Sequence, residues 1–426
     1  VARVGHSFAI EKWERDYLRD LARKQLEYAN LPVMAERTKL WYDHNHLRGD
    51  RPVIVMEMET FEDDMLPPAK CQTPAAIRIE REILRWTVNH ELIDDDKVVP
   101  AYYSVSWQIH FRELNIDIHS THALDSKGRS IGYATDYVIK DLPQDLAKLG
   151  RSVYSVDREG TMAWKSFVED VIGDILPVRI TNDTLRWSLS PSIRVVRLMG
   201  LENMMYAMID CPDALHSLYR LLVDDAMEYV HWQEAEGLLV LNNGNDYAGA
   251  GSYGFTDELP TEQCRETGVV RPADLWLNLN SQETVGVSPS MYGEFIYPYY
   301  EELASQFGLV YYGCCEPVHD IWSDYLSRLP HLRKVSVSAW CNEAFMGEAL
   351  KGSNVIYSRK PRPNYIGVGQ FDESAFAEHI AETLTHAAGC HLEFIFRDIY
   401  ALDGDRTKPG RAVKIVRELI ERNWQP

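Results

Sequence analysis

From about residue 190 the chain alternates short apolar runs with amphipathic helical segments, and that alternation restricts the fold more than any other feature. Residues 211–237, CPDALHSLYRLLVDDAMEYVHWQEAEG, have the spacing of a long helix stopped at Gly237, and LLVLNN at 238–243 follows as a short buried strand. Residues 288–308 open a second helix with Ser288 as N-cap and Pro289 at the first helical position, and Pro298 kinks it. Strand LVYYG (309–313), helix HDIWSDYLSRL (319–329), strand KVSVSAW (334–340) and helix NEAFMGEALKG (342–352) come next. After a strand-like NVIYS (354–358) and an extended NYIGVG (364–369), the chain ends with helix 372–389, strand HLEFIF (391–396) and helix 410–423. Repeated βα units require a parallel sheet covered by helices. No G-x-G-x-x-G follows an early strand and no P-loop occurs, so a closed (β/α)8 TIM barrel is expected over a nucleotide-binding fold. The 426 residues then form one barrel domain, 1–426, with residues 1–50 as an N-terminal helical extension. In the first half only 11–30 (a helix), RPVIVMEMET (51–60, a strand) and YATDYVIKDL (133–142, a strand) are assignable.

Charge and cysteine usage narrow the function classes. The formal net charge of −20 opposes nucleic acid and anionic lipid as partners. No apolar window is long enough for a membrane span, and VARVGHSFAI lacks the layout of a secretory signal. Seven cysteines, an odd number without regular spacing, fit a reducing cytoplasm, where clustered thiols bind metals or react.

In a βα barrel the reactive side chains stand at the C-terminal ends of strands. That rule gathers Asn242, Asn243, Asn245 and Asp246 after LLVL, and Cys314, Cys315 and Glu316 after LVYYG. It adds Cys341 and Glu343 after KVSVSAW, and Arg397 and Asp398 after HLEFIF. Adjacent side chains on a strand point to opposite faces, so Cys314 and Cys315 share one ion only if the strand has ended, as Gly313 and Pro317 allow. Thiolates and a carboxylate suit zinc; equally, two small thiols plug a barrel rim. Asn243 and Asp246 either orient a polar substrate or cap the following loop. Tyr312 and Trp340, with Tyr311, Tyr292, Tyr297 and Trp322, line a pocket or fill the core. Glu57 and Glu59 share one strand face, DDD at 94–96 reads as a solvated turn, and GAGSYG at 249–254 reads as a flexible loop.

The helix patterns VVRLMGLENMMYAMIDCPDALHSLYRLL (195–222) and VSPSMYGEFIYPYYEELASQFG (287–308), with YYGCCEPVHDIWSDYLSRL (311–329), resemble the uroporphyrinogen decarboxylase superfamily over about residues 190–425. The superfamily has a (β/α)8 barrel and two main activities. Its decarboxylase branch carries an Arg-rich N-terminal motif, absent here, where VIVMEMETFEDDML is acidic. Its other branch transfers methyl groups to or from corrinoids and holds zinc with a His-x-Cys pair and a later Cys. Here Gly313 stands at the His position and Arg397 or Asp398 at the end of the last strand, so the family's zinc pattern is not met.

The resemblance implies a methyltransferase, an O-demethylase component. It would move a methyl group from a small, methoxylated aromatic donor to the cobalt(I) of a corrinoid carrier protein. No Asp-x-His-x-x-Gly occurs, so cobalamin would come with the partner protein. On this reading Cys314, Cys315 and Cys341 hold zinc and Glu316 and Asp246 are catalytic. Asn243, Tyr312, Trp340 and Arg397 bind substrate, and a homodimer is a candidate assembly. A metal-free lyase acting on a small acid, with Arg359, Arg362 and Arg397 as cations, is the alternative; a non-catalytic corrinoid- or substrate-binding subunit is the second.

Overall fold

The computed structural model describes residues 8–124, 130–181 and 189–424. Its centre is a six-stranded parallel sheet. The strands are β1 (Val53–Met56), β4 (Trp276–Leu279), β5 (Leu309–Tyr312), β6 (Leu332–Val337), β7 (Ile356–Arg359) and β8 (Leu392–Phe396). Their order is β1-β8-β7-β6-β5-β4, so the last strand lies beside the first, as βα winding around a barrel requires. Strands β2 (Tyr103–Val105) and β3 (Val178–Ile180) pair with each other in parallel as a separate ladder. The fold is thus mixed α/β and barrel-like. A fully hydrogen-bonded closed barrel is not present among the described residues.

Side chains explain both breaks. At the β1 edge, Asp96 Oδ2 accepts from Ile54 N at 2.9 Å and Asp95 Oδ2 from Met56 N at 2.7 Å, while Lys97 Nζ donates to Met56 O at 2.6 Å. The acidic run expected as a solvated turn therefore has two buried members that substitute for a neighbouring strand. At the β4 edge, the Asn242 amide bonds Trp276 through both its atoms, at 3.0 and 2.9 Å. The expected strand LLVLNN is not one: 238–241 are irregular, and this amide takes up the hydrogen bonds a strand would have made.

Strand alternation separates two environments. Ile54, Met56, Leu277, Leu279, Val310, Tyr312, Val335, Val337, Phe394 and Phe396 join the main apolar core with the surrounding helices. Among the helices on that side are α3 (Pro74–Val88), α4 (Pro212–Ala235), α5 (Glu343–Leu350), α6 (Glu373–His386) and α7 (Lys408–Asn423). The opposite face is largely polar: Asn278, Tyr311, Lys334, Ser336, Ser358 and Glu393, all buried. GAGSYG, expected as a flexible loop, fills the space before this face as a buried hairpin, Tyr247–Gly249 with Ser252–Tyr253. Ser252 Oγ donates to Glu393 at 2.9 Å, and Lys334 Nζ donates to Ser252 Oγ at 2.7 Å.

The N-terminal helices α1 (Lys12–Ala29) and α2 (Pro32–Asn45) belong to this packing. Trp41 is buried against Val53, Val55 and Ile395, His44 Nε2 lies 3.1 Å from Glu393, and Asn45 Nδ2 donates to Tyr253 O and Phe255 O at 3.0 and 2.8 Å. No helix among the described residues is long and apolar enough to cross a membrane.

Candidate functional site

The polar face reaches the C-terminal ends of the strands as a connected set of groups. After β5 the backbone turns at Gly313, whose φ of 97° and approach to Ser336 (a Cβ there would lie 2.9 Å from Ser336 Cβ) leave little room for a side chain. The strand has ended, so Cys314 and Cys315 lie side by side with Sγ atoms 3.4 Å apart. The Cys315 thiol donates to Asp398 Oδ2 at 2.9 Å. Asp398 follows β8 in a left-handed conformation, φ 58°. Arg397 Nε is 3.2 Å from Glu57 Oε2 and 3.7 Å from Asp398 Oδ2. Tyr247 OH, at the start of the hairpin, donates to Glu57 Oε1 at 3.4 Å. A path of polar contacts thus runs Tyr247, Glu57, Arg397, Asp398, Cys315, Cys314.

These contacts shift protonation. The contact with Cys314, burial and the Asp398 charge all push the Cys315 thiol upward, so it rests protonated. Burial raises the Glu57 carboxyl, against the pull of Arg397. Burial opposes the Arg397 guanidinium, but Glu57, Cys314 and Asp398 more than restore its charge. Lys360, just past β7, donates to Tyr311 OH at 2.6 Å and Ser358 Oγ at 2.8 Å, and burial lowers its ammonium to about 7.

The expected site residues divide. Cys314, Cys315 and Arg397 meet as the strand-end rule requires. Cys341 does not join them: its sulfur accepts from Val318 N at 3.4 Å and contacts Ser338 Oγ at 3.7 Å. Glu316 is buried and accepts from Ser281 N at 2.9 Å and Cys314 N at 2.8 Å, which ties the GCCEP turn to the end of β4; burial raises its carboxyl against those bonds. Tyr312 faces the helices, its hydroxyl bonded to Ser281 Oγ and Tyr292 OH at 2.5 and 2.8 Å, so Tyr311 is the tyrosine on the site face. Trp340 is 72% exposed on the outer rim. Asn243 Nδ2 donates to Leu259 O at 2.7 Å and Thr256 O at 3.3 Å, the loop-capping role. Arg359 is ion-paired with Glu343 on the helix side of the sheet.

Asp246 lines a cavity of about 560 Å3 whose wall includes Tyr247, the hydrogen-bond partner of Glu57. Its walls come from the ends of β1, β2 and β3 (Met58, Glu59, Ser104, Ser106, Thr181), from α3 and the turn after it (Arg78 to Asn89), and from the hairpin side (Asn245, Tyr247, Tyr253). Lys360, Asn89 and Tyr247 had no role in the sequence reading, and Tyr311 entered it only as one of several aromatics. A lysine directly following a strand was the available signal for the first.

Among the described residues no group of three or more His, Cys, Asp or Glu side chains is arranged to hold a metal ion. The thiol pair with Asp398 is a hydrogen-bonded contact, not a preformed coordination shell.

No family model matches the chain, and no curated protein sequence matches it. Solved structures do. A methyltransferase from Methanosarcina mazei superposes with a TM-score of 0.50 at 14% identity, over 90% of this chain and 98% of that one. At that identity the likeness establishes a shared fold.

Proposed function

We propose that the chain is a methyltransferase that takes a methyl group from a small methyl ether and passes it to the cobalt(I) of a corrinoid on a separate carrier protein. We also read the six-stranded sheet as the continuous arc of a (β/α)8 barrel whose remaining strands are β2 and β3. The observation that carries the proposal is the polar path from the cavity to the thiol pair, set at the C-terminal ends of parallel strands where barrel enzymes place their chemistry. The fold shared with the Methanosarcina mazei methyltransferase supports it.

The CH3–O bond breaks, the methyl group leaves for cobalt, and the ether oxygen departs as an alkoxide or phenoxide. That oxygen is a poor leaving group unless a proton reaches it. The cavity holds the donor; Glu57, whose carboxyl burial raises and which Tyr247 links to the cavity wall, carries the proton to that oxygen, and Asp246 orients the ether. Arg397 holds Glu57 in place and stabilises the carboxylate left behind. Glu316 keeps the thiol turn fixed. A corrinoid supplies the nucleophile when its carrier docks on the rim.

The test mixes purified protein with cobalt(I) cobalamin and methyl ethers, 2-methoxyphenol among them, and follows loss of the cobalt(I) spectrum. Methyl transfer is expected, with Glu57→Gln lowering the rate by about 10²-fold or more. No cobalt(I) consumption with any ether would remove the proposal. The lyase reading is weaker because Arg359, one of its three cations, is already paired with Glu343.

Zinc on Cys314 and Cys315, with Asp398 as a further donor, is a separate part of the proposal and rests on donor chemistry alone. Metal analysis of protein purified without chelator decides it. About one zinc per chain, lost in Cys315→Ala, makes the pair a ligand set; no zinc in either protein makes it a wall of the site.

A further inference from the structure

The cavity lined by Asp246 and Tyr247 has walls that point to the chemistry of its ligand. Asn89 lies at its wall, only 4% exposed, and its Nδ2 has no hydrogen-bond partner. Asn245 lies at the same wall; its Nδ2 donates to Val98 O at 2.7 Å, but its buried Oδ1 accepts nothing. Native proteins rarely leave such atoms unpaired, because each forfeits the hydrogen bonds it made in water. One is a donor and the other an acceptor. A hydroxyl group satisfies either kind, and a polyol satisfies both.

The rest of the lining agrees. Ser104, Ser106 and Thr181 add hydroxyls, and Asp246 adds a carboxylate that accepts from them in a ligand. Trp86 and Tyr103 supply flat apolar surface of the kind that packs against the C–H face of a sugar ring. Most of the charges are already committed. Arg81 and Arg85 both donate to Glu62, at 2.7 and 2.6 Å, and Arg85 also to Glu82 at 3.0 Å. Lys97 is held by Met56 O at 2.6 Å, and Arg78 lies over the Trp164 ring at 4.4 Å. A neutral ligand fits walls whose charges pair with one another. A mainly apolar methoxylated ring covers the aromatic surface but leaves several wall groups unmatched. The wall formed by α3, from Arg78 to Asn89, is about 16 Å long at the rise of an α-helix, which gives room for more than one ring.

We propose that the methyl donor is a neutral polyhydroxylated methyl ether, an O-methylated sugar or cyclitol, with its hydroxyls on Asn89 Nδ2 and Asn245 Oδ1 and its ring against Trp86. This rests on the methyl-transfer reading above and replaces the methoxylated aromatic as donor. Asn89 and Asn245 recognise the ligand's hydroxyls; the methyl-bearing oxygen is turned toward Glu57 and the thiol pair.

The experiment titrates the full chain with 3-O-methylglucose and an O-methylinositol, with 1,2-dimethoxybenzene as a comparator lacking hydroxyls, by calorimetry and saturation-transfer NMR. At least one polyol ether is expected to bind. Asn89→Leu is expected to weaken it by about tenfold or more while weakening 1,2-dimethoxybenzene, which has no hydroxyl, much less. Ser106→Ala, whose hydroxyl makes no hydrogen bond among the described residues, gives the same selective loss on a smaller scale and guards against a folding defect in the first variant. No polyol ether bound to wild type, or equal affinity in both variants, overturns the proposal. Binding without transfer to cobalt(I) keeps the ligand class and removes the transferase reading. Transfer from 2-methoxyphenol with no polyol ether bound does the reverse.

Discussion

Lys360 stands where β7 ends, buried, with Tyr311 and Ser358 as its hydrogen-bond partners. Burial lowers its ammonium from 10.5 to about 7. Between those values the unfolded chain holds a proton that the folded chain does not, so this group's contribution to stability rises with pH across that window. Lys360→Met removes the dependence. Urea unfolding at pH 7, 8 and 9 is expected to show wild type gaining on the variant by about 1 kcal/mol per pH unit. Residue-scale errors in reading the sequence have one main source, which is parity. LVYYG offers two adjacent tyrosines, and nothing inside the run says which faces the site. Lys334 and Glu393 supply the missing anchor, since charged residues inside otherwise apolar strands mark the polar face. Their register through the sheet puts Tyr311 with them and Tyr312 with the helices. The thiol pair was legible because Gly313 and Pro317 announce the end of the strand. Asn89 was not, because an unpaired amide is a property of three-dimensional packing.

At the scale of elements, the hairpin in the sheet's polar face was hidden by its composition. Small residues suit a mobile loop and a tightly packed insert equally well. Here they are demanded by space. A Cβ on Gly251, at φ 90°, would lie 2.4 Å from Ile395 Cγ2, and one on Gly249 would lie 2.8 Å from both Asn278 and Tyr311. Gly251→Ala is expected to destabilise the fold by about 1–3 kcal/mol, read from the urea midpoint at unchanged m-value. It also shifts the segment bearing Tyr247, which under the proposed function lowers methyl transfer. The parallel strands β5 to β8 were readable, because each is a short apolar run beside a helical pattern; β4 was not, its apolar run being only four residues with Asn278 inside it. The two sheet edges were not. Asn242 and the Asp95–Asp96 pair finish them through side chains, and a sequence pattern carries no mark of a side chain acting as a strand.

Over the whole molecule, the described N-terminal helices behave as part of the core. Trp41, His44 and Asn45 join β1, β8 and the hairpin, and Arg333 Nη1 reaches back to Asn45 O at 2.7 Å. A chain beginning at residue 51 would expose that surface and leave the Lys334–Glu393 pair open to water. It is expected to be recovered aggregated, or without a cooperative unfolding transition by circular dichroism; a soluble, cooperatively folding product would show the extension to be dispensable. The winding of βα units was legible because it is a repeated pattern along the chain. The docking of the N-terminal helices was not, because its contacts join positions hundreds of residues apart.

The packing of α2 and the hairpin against the sheet has a consequence in time. With that end filled, the proposed function has a small methyl donor and a bulky carrier share the approach over the rim, where Trp340 and Tyr400 are 72% and 66% exposed. Two visitors of such different size cannot arrive in either order. The small one enters first, and the large one then closes the way behind it. Initial rates should therefore follow compulsory-order kinetics, with excess carrier acting as a dead-end inhibitor that more donor relieves. Random-order rates would mean a second entrance.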